Sequence, residues 1–214
     1  MTTDFATPAT SRTATYRTIR PIAASSIHGI AFHGDVLLAL DAKNGYLLQI
    51  DPATDSTTIL NPNNWQEFIG ATGLAIAGDT LWFAAGDSIY YCSLNSGELT
   101  PKRFASLPYT VNGVAVWETT VYATCQKAGD IFVFNRETAK QITQFYAPGI
   151  GVENIAVRGE ELWLSDTLEQ TVYCLDRATG EILFSVLTPF ESPTGLTFYR
   201  HPTTGEETLY VAYT

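Results

Sequence analysis

Five polar residues stand 40 to 44 positions apart along the chain, and each precedes a short phrase of small and apolar residues. They are His28, Thr72, Asn112, Glu153 and Thr194. An imidazole, an amide, a carboxylate and two hydroxyl groups, once brought together, could bind a small polar ligand, hold a cation or move a proton. We therefore take these five residues, with Asn154 beside Glu153, as candidate ligand-binding positions.

A metal site at these positions is the weaker prediction, because Glu153 is the single acid among the five. Calcium takes roughly six to eight oxygen ligands, several of them from carboxylates. A channel lined by polar side chains that hold water is the simpler interpretation. We expect no cofactor, and the alternative is a divalent metal such as Ca²⁺.

Recognised catalytic motifs are absent from the sequence, which contains no HExxH, GxSxG or GxxxxGK[ST]. His33 and His201 fall in predicted turns on the face opposite His28, so a two-histidine metal site is not expected. Ser25 and Ser26, beside His28, are interpreted as loop residues. We predict no catalytic residues, and no hydrolase or transferase activity in this chain alone.

The elements that must position these residues form a repeat. The small-apolar phrase recurs at residues 29–32, 73–76, 113–116, 154–157 and 195–198. A polar turn and a second apolar strand follow each copy, and third and fourth strands follow in four copies. Four short strands in about 41 residues is the period of a propeller blade. Glycine and alanine in the phrase suit inner strands that crowd around a central channel.

We therefore predict an all-β fold, a five-bladed β-propeller of four-stranded repeats. The chain supplies sixteen strands in four repeats, two at its carboxyl end and one at residues 14–22. This count predicts an incomplete last blade that the N-terminal strand closes, because an open apolar edge strand promotes aggregation. Residues 1–12 are predicted to be a disordered tail, and residues 13–214 a single propeller domain that could be the front part of a longer protein.

One face of this propeller is predicted to bind the ligand. Loops that leave the fourth strand share that face with loops that join strands two and three. The first set carries Trp65, Phe68 and Tyr109, which we expect to form an apolar patch, and the second set is rich in acidic residues. An acidic, aromatic face suits a protein or small-molecule ligand that is cationic or neutral. The alternative is a set of ordinary solvated loops.

Composition excludes some partners. The 214 residues include 12 Lys and Arg and 22 Asp and Glu, which gives a formal net charge of -10. Because phosphates are recognised by basic patches, we expect no nucleic-acid or membrane partner. The amino terminus lacks the apolar core of a secretory signal. Three scattered cysteines indicate reduced, buried thiols, and we expect a cytoplasmic protein.

The phrase followed by Leu-Trp-Leu-Ser-Asp at residues 162–166 resembles the blades of NHL-type and gluconolactonase-like propellers. The resemblance covers nearly the whole chain and is one of fold. In gluconolactonase-like propellers, metal ligands come from similar ring positions, often as Asn-Gly or Glu-Gly. The resemblance therefore implies that a metal ion could take oxygen ligands from Asn112, which precedes Gly113, and from Glu153 with Asn154.

A narrower resemblance lies in four stretches, at residues 25–32, 114–126, 145–157 and 178–198. These stretches are similar to the propeller-like N-terminal region of cyanobacterial transglutaminase-domain proteins. The resemblance implies that a C-terminal catalytic domain, which would lie beyond Thr214, is a candidate partner. It also implies that the transglutaminase Cys-His-Asp site is not carried by Cys92, Cys125 or Cys174.

Two functions stay open. The first is a non-catalytic binding or interaction propeller, the N-terminal module of a transglutaminase-like protein. The second is a metal-dependent lactonase-like or lyase-like enzyme that acts on a small molecule at the channel mouth. The scarcity of carboxylates favours the first, and a metal analysis of the purified protein would separate the two.

Overall fold

The computed structural model describes residues 10–13 and 16–214, and these residues form nineteen strands and one short 3-10 helix, Trp65–Phe68. Residues 1–9 of the predicted tail, and residues 14 and 15 of the predicted N-terminal strand, lie outside the described residues. Within the described part of the chain, no helix has the length and apolar character needed to cross a membrane.

Four antiparallel sheets of four strands follow one another along the chain, after an initial strand β1 (Thr10–Thr13). Blade 1 contains β2 (Ile27–His33), β3 (Val36–Asp41), β4 (Tyr46–Ile50) and β5 (Thr57–Ile59). Blade 2 contains β6 (Ala71–Ala77), β7 (Thr80–Ala85), β8 (Ser88–Ser93) and β9 (Lys102–Ser106). Blade 3 contains β10 (Gly113–Trp117), β11 (Thr120–Cys125), β12 (Asp130–Asn135) and β13 (Gln141–Tyr146). Blade 4 contains β14 (Val152–Arg158), β15 (Glu161–Asp166), β16 (Thr171–Asp176) and β17 (Ile182–Leu187).

The hydrophobic core lies between successive blades rather than inside any one sheet. Leu40 of blade 1 shares a cluster with Leu74 and Phe83 of blade 2, and blades 2 and 3 and blades 3 and 4 are joined by similar clusters. The three cysteines are buried, as predicted: Cys92 and Cys125 lie in these layers, and Cys174 lies in a cluster of blade 4 that also contains Leu196 of the fifth copy of the phrase. Burial raises the pKa of the Cys92 thiol to about 11 and that of the Cys125 thiol to about 12, so both stay protonated at neutral pH.

The inner strands meet backbone to backbone around the channel. A Cβ atom added to Gly73 would lie 2.6 Å from the Cα atom of Gly113, and one added to Gly113 would lie 2.8 Å from the Cα atom of Asn154. Real Cβ atoms do not approach that closely, so the small residue of the repeated phrase is required by neighbouring blades. Gly73 also has a φ of 60°, which few other residues adopt readily.

The prediction of five blades is wrong. Four sheets have four strands or more, whereas the fifth copy of the phrase forms only a two-stranded sheet of β18 (Pro193–Arg200) and β19 (Glu207–Tyr213). This sheet fills the gap between blade 4 and blade 1. Phe198 packs edge-on against Trp163 at 5.2 Å, and Tyr210 packs edge-on against Phe32 at 4.9 Å. Aromatic packing on both sides therefore closes the ring without further strands.

The predicted closure by an N-terminal strand is also wrong. Residues 16–22 do not form a strand, and β1 pairs in parallel with β17 at the outer edge of blade 4. Residues 10–12, which were predicted to belong to the disordered tail, are part of β1. The Arg12 guanidinium lies 4.0 Å from the centre of the Phe184 ring, and this contact favours blade 4 over the last sheet. Arg17 then pairs with Glu206 at 2.6 Å as the chain passes the two-stranded sheet.

Candidate functional site

The inner strands all begin on one face of the ring, and their first residues surround the opening of the channel. We call the six residues of this set the channel mouth: His28, Thr72, Asn112, Glu153, Asn154 and Thr194. The loops that leave the fourth strands lie on the same face, and we call this the loop face. The face is set by strand direction, because every inner strand runs away from the mouth.

Glu153 is the centre of the channel mouth. Its side chain is only 12 % exposed, and its carboxylate is reached from blade 1 and from blade 3. The Nδ1 atom of His28 lies 3.4 Å from one carboxylate oxygen, and the Nδ2 atom of Asn112 donates to the other at 3.4 Å. Both contacts are at the long limit of hydrogen bonding, so neither saturates the carboxylate.

The backbone fixes the orientation of this group. The Asn112 side-chain oxygen accepts a hydrogen bond from the backbone N–H of Gln126 at 3.0 Å, which turns the amide nitrogen toward Glu153. The Thr124 hydroxyl donates to the carbonyl oxygen of Glu153 at 2.9 Å and anchors the strand at that point. Two rigid strands therefore hold the carboxylate, and a ligand would meet a preorganised acceptor.

The other three members of the channel mouth join neighbouring sheets to one another. Thr72 donates to the carbonyl of Val111 at 3.0 Å, and Thr194 donates to the carbonyl of Ile27 at 2.6 Å. Asn154 donates to the carbonyls of His28 at 3.0 Å and Thr194 at 3.1 Å. These polar atoms satisfy backbone groups and are not free to receive a ligand.

The two predicted aromatic site residues do not reach the centre of the mouth. Trp65 is half-buried in the 3-10 helix beside β4, and Tyr109 is 42 % exposed on the loop before β10. Phe68, expected in the same exposed patch, is fully buried and packs on Phe83 at 4.8 Å, because it faces the layer between blades 1 and 2.

Exposed apolar residues that the sequence reasoning missed lie on the loop face beside blade 4. Tyr146, Ile150 and Leu168 are 86 %, 75 % and 67 % exposed. Their exposure depends on how the loop before β14 and the loop after β15 pack, which the sequence pattern does not reveal. Gly151 makes that packing possible, since a Cβ atom there would lie 2.7 Å from the Cβ atom of Leu168.

The acidic loop residues are less available than their number suggests. Asp166 is fully buried, and its carboxylate accepts backbone N–H bonds from Gly151, Leu168 and Glu169 at 2.9 Å each. Asp41 is 2 % exposed and binds its own turn in a similar way. These carboxylates shape the loops, so Glu153 is the acid of this face that lies at the channel.

The donor atoms of the channel mouth do not fit the metal that the gluconolactonase-like resemblance implies. The side-chain oxygen of Asn112 is used by Gln126, and that of Asn154 accepts the N–H of Ile155 at 2.8 Å. Among the described residues no group of three or more histidines, cysteines and acids could hold a metal ion. A calcium site would therefore lack most of the oxygens it requires.

No family model matches the chain, and no curated protein matches it by sequence. Solved structures do match. The glutaminyl cyclase of Myxococcus xanthus is 15 % identical with a TM-score of 0.72, and the alignment covers 95 % of this chain and 93 % of that one. The fold is a β-propeller.

Two further structural matches have lower TM-scores. A structure of a nidogen/laminin complex is 12 % identical with a TM-score of 0.60, over 77 % of this chain and 64 % of that one. The computationally designed protein Ika8 is 15 % identical with a TM-score of 0.53, over 88 % of this chain and 59 % of that one. At these identities the likeness concerns the fold alone.

Proposed function

We propose that this chain is a non-catalytic binding propeller whose channel mouth takes the amino group of a small molecule or a peptide. The observation that carries the proposal is the Glu153 carboxylate, which is nearly buried and makes two hydrogen-bond contacts with the described residues, both at 3.4 Å. Within the described residues no lysine or arginine pairs with it. An ammonium group would supply the charge and the short hydrogen bonds that the carboxylate lacks.

The surroundings of Glu153 support a peptide as the source of that amine. Tyr146, Ile150 and Leu168 expose apolar surface on the same face, where the side chains that follow a peptide amino terminus could pack. The net charge of -10 adds a field that favours cations and disfavours anionic ligands near the loop face. Small amines and amino-terminal peptides share the chemistry that this site would recognise.

A binding titration tests the proposal with the dipeptide amide Gln-Ala-NH₂ and its N-acetylated form as probes. We expect the free amine to bind saturably and the acetylated form not to bind. Glu153→Gln should weaken binding about tenfold or more, because hydrogen bonds to charged groups contribute roughly 1.5–3 kcal/mol. Glu191→Gln removes the same charge from an exposed position of the loop face and should leave affinity within about twofold. Equal loss in the two variants, or equal binding of the acetylated probe, would contradict the proposal.

A second candidate is cyclisation of an amino-terminal glutamine, which the propeller match to a glutaminyl cyclase and the carboxylate at the channel mouth favour. Glu153 would accept a proton from the substrate ammonium. The freed amine nitrogen would then bond to the side-chain amide carbon. Glu153 would return its proton to the original amide nitrogen, whose bond to that carbon would break and release ammonia, and would take up the proton that the attacking nitrogen loses. The same dipeptide amide separates the two candidates. Ammonia release that Glu153→Gln abolishes supports the cyclase, and saturable binding without ammonia supports the binding propeller.

The narrower resemblances lead to further proposals. The four stretches similar to transglutaminase-domain proteins support a role as the N-terminal module of such a protein, and the coding sequence after Thr214 tests that role. The scattered cysteines support a cytoplasmic location, which fractionation of cells would test. A stoichiometric metal in the purified protein would instead favour the lactonase-like or lyase-like alternative.

A further inference from the structure

A polar groove lies between blades 2 and 3, on the face opposite the channel mouth. It has a volume of about 390 Å³, within the usual range for small-ligand sites. Its polar walls comprise Thr80, Arg103, Arg136, Glu137 and Thr138, so one acid lies among the two arginines. Two arginines in one groove are notable in a chain with only 12 basic residues and a net charge of -10.

Comparison of the repeats shows that Arg136 of blade 3 lacks the acidic partner that Arg177, the equivalent residue of blade 4, has. Arg136 and Arg177 each follow the third strand of their blade, and each donates its backbone N–H to the equivalent carbonyl, that of Thr119 or Glu160, at 2.8 Å. The Arg177 guanidinium pairs with the Glu160 carboxylate at 2.8 Å. Blade 3 has Thr119 at that position, and no acid of the described residues pairs with Arg136. Its charge therefore remains available to a ligand.

The aromatic floor of the groove holds the Arg136 guanidinium in place. Its centre lies 5.6 Å from the centre of the Trp82 ring, and its Nη1 donates to the Glu118 carbonyl at 3.2 Å. Trp82 is itself fixed, since Tyr91 stacks on it at 5.2 Å and Phe104 meets it edge-on at 5.1 Å. One hydrogen bond leaves most of the five N–H groups of the guanidinium free for an anion.

A second observation also indicates a ligand. Trp82 is 3 % exposed, and its Nε1 atom is buried with no hydrogen-bond partner in the described part of the protein. Buried donors are normally satisfied, because leaving one unpaired costs about 1–3 kcal/mol. Arg103, on β9, forms no ion pair among the described residues either, and Lys102 beside it lines an adjoining depression that shares Thr80 and Tyr91.

We propose that this groove is a binding site for a small anion that carries a phosphate or carboxylate group. Arg136 would hold two oxygens of the anion through paired N–H donors, and Arg103 would close on it from β9. The Thr80 hydroxyl would add a further donor, whereas the Thr138 hydroxyl already donates to the side-chain oxygen of Asn135 at 3.0 Å. The site is separate from the channel mouth. A positive or a negative result for anion binding therefore does not test the role proposed for Glu153.

Two-dimensional ¹H–¹⁵N spectra test this site, since the chain has four tryptophans and therefore four indole signals. Inorganic phosphate and citrate are titrated separately at constant ionic strength, which distinguishes the two anion classes. We expect saturable movement of the Trp82 signal, while the signal of Trp117, which lies under Arg177, stays in place. Saturation by either anion supports the site, and lack of saturation by both overturns it.

Three variants complete the test. Arg136→Gln and Arg103→Gln should each weaken anion binding about tenfold, whereas Arg177→Gln should leave it unchanged, because that guanidinium is already neutralised by Glu160. Among the described residues it is Arg136, and not Arg103, that lies over the Trp82 ring, so the Arg103 variant remains informative if Arg136→Gln disturbs the fold. Equal weakening in all three variants would mean nonspecific attraction and would overturn the proposal.

Discussion

At the scale of single residues, equivalent positions of the repeat have different roles. Thr72 and Thr194 hold neighbouring inner strands together through backbone carbonyls. Glu153, at the same position of another blade, points a carboxylate toward His28 and Asn112. A threonine hydroxyl is short enough to satisfy the adjacent strand, whereas a glutamate extends beyond it. The length and charge of the side chain therefore decide whether a ring position builds the fold or faces a ligand.

Asp41 allows a residue-scale prediction of pH dependence. Burial would raise the pKa of its carboxyl, but hydrogen bonds from the backbone N–H of Ser25 and from both nitrogens of Asn44 outweigh burial and lower that pKa. Because the pKa is lower in the folded state, the unfolded state binds more protons. The stabilisation by the ionised Asp41 carboxylate is therefore fully present at pH values above its pKa in the unfolded state. It is lost as the pH falls through its pKa in the folded state.

We expect the free energy of unfolding to fall below about pH 4, with a smaller fall in Asp41→Asn, which cannot ionise. At pH 7 the variant should be less stable by roughly 1–2 kcal/mol, since its hydrogen bonds lose their charge. Urea titrations at pH 7, 4 and 3 measure both effects. Glu191→Gln serves as the control for loss of a surface charge. An unchanged pH profile in Asp41→Asn would contradict the assignment.

At the scale of elements, the turns between the third and fourth strands of blades 1, 3 and 4 share one geometry. Asp51, Asn135 and Asp176 each accept a hydrogen bond from the backbone N–H two residues later, at 2.8, 3.0 and 2.9 Å. The fifth residue of each turn has a positive φ, of 58° at Asp55, 55° at Ala139 and 76° at Gly180. Only the turn of blade 4 has glycine there, so the other two turns carry backbone strain.

Replacing Ala139 with glycine should stabilise the protein. Glycine adopts the left-handed conformation of this position without the energetic penalty that alanine has. We expect this gain to exceed the destabilisation caused by the greater entropy of the unfolded chain by about 0.5 kcal/mol. Ala178→Gly, in the equivalent turn of blade 4, has no positive φ to relieve and should destabilise by about 0.4–1 kcal/mol. Thermal unfolding of the two variants measures the difference. Destabilisation by both would show that strain at Ala139 is negligible.

At the scale of the whole molecule, the ring has one joint unlike the others. Blades 1 to 4 are sheets of four or more strands and pack directly on one another. Between blade 4 and blade 1, the ring is closed by a sheet of only two strands. The Thr194 hydroxyl, bonded to the Ile27 carbonyl at 2.6 Å, lies at this joint. Fewer strands bury less apolar surface, so we expect local opening to begin here.

Thr194→Val and Thr72→Val compare this joint with an ordinary one. Each variant removes one hydroxyl bonded to a carbonyl on the neighbouring element, and each should cost about 1–2 kcal/mol. Thr194→Val should also speed hydrogen exchange selectively in β18, β19 and β2. Thr72→Val should show no such selectivity, since four-stranded sheets lie on both sides of it. Uniform exchange in both variants would refute a weak joint.

The sequence repeat predicted the strands β2 to β19 and the channel-mouth positions, because both follow from local patterns of apolar and small residues. The blade count was wrong because the two strands after the fifth phrase were counted as a blade that the N-terminal strand would complete, whereas β1 pairs with β17. The place of β1 could not be foreseen, since it depends on the contact between Arg12 and Phe184, far apart in the chain. Likewise, the sequence alone predicts Phe68 to be an exposed aromatic residue of a loop, because its packing partner Phe83 is known only from the structure.

The directions of β1 and β19 have a practical consequence for attaching the protein to a surface. Thr10 pairs with Phe184 near the start of β17, on the face opposite the channel mouth, whereas Tyr213 pairs with Pro193 beside Thr194. A tether attached at Thr10 would therefore leave Glu153 facing the solution. A fusion at the carboxyl end would place its cargo beside the opening, at an effective concentration that a short linker sets in the millimolar range.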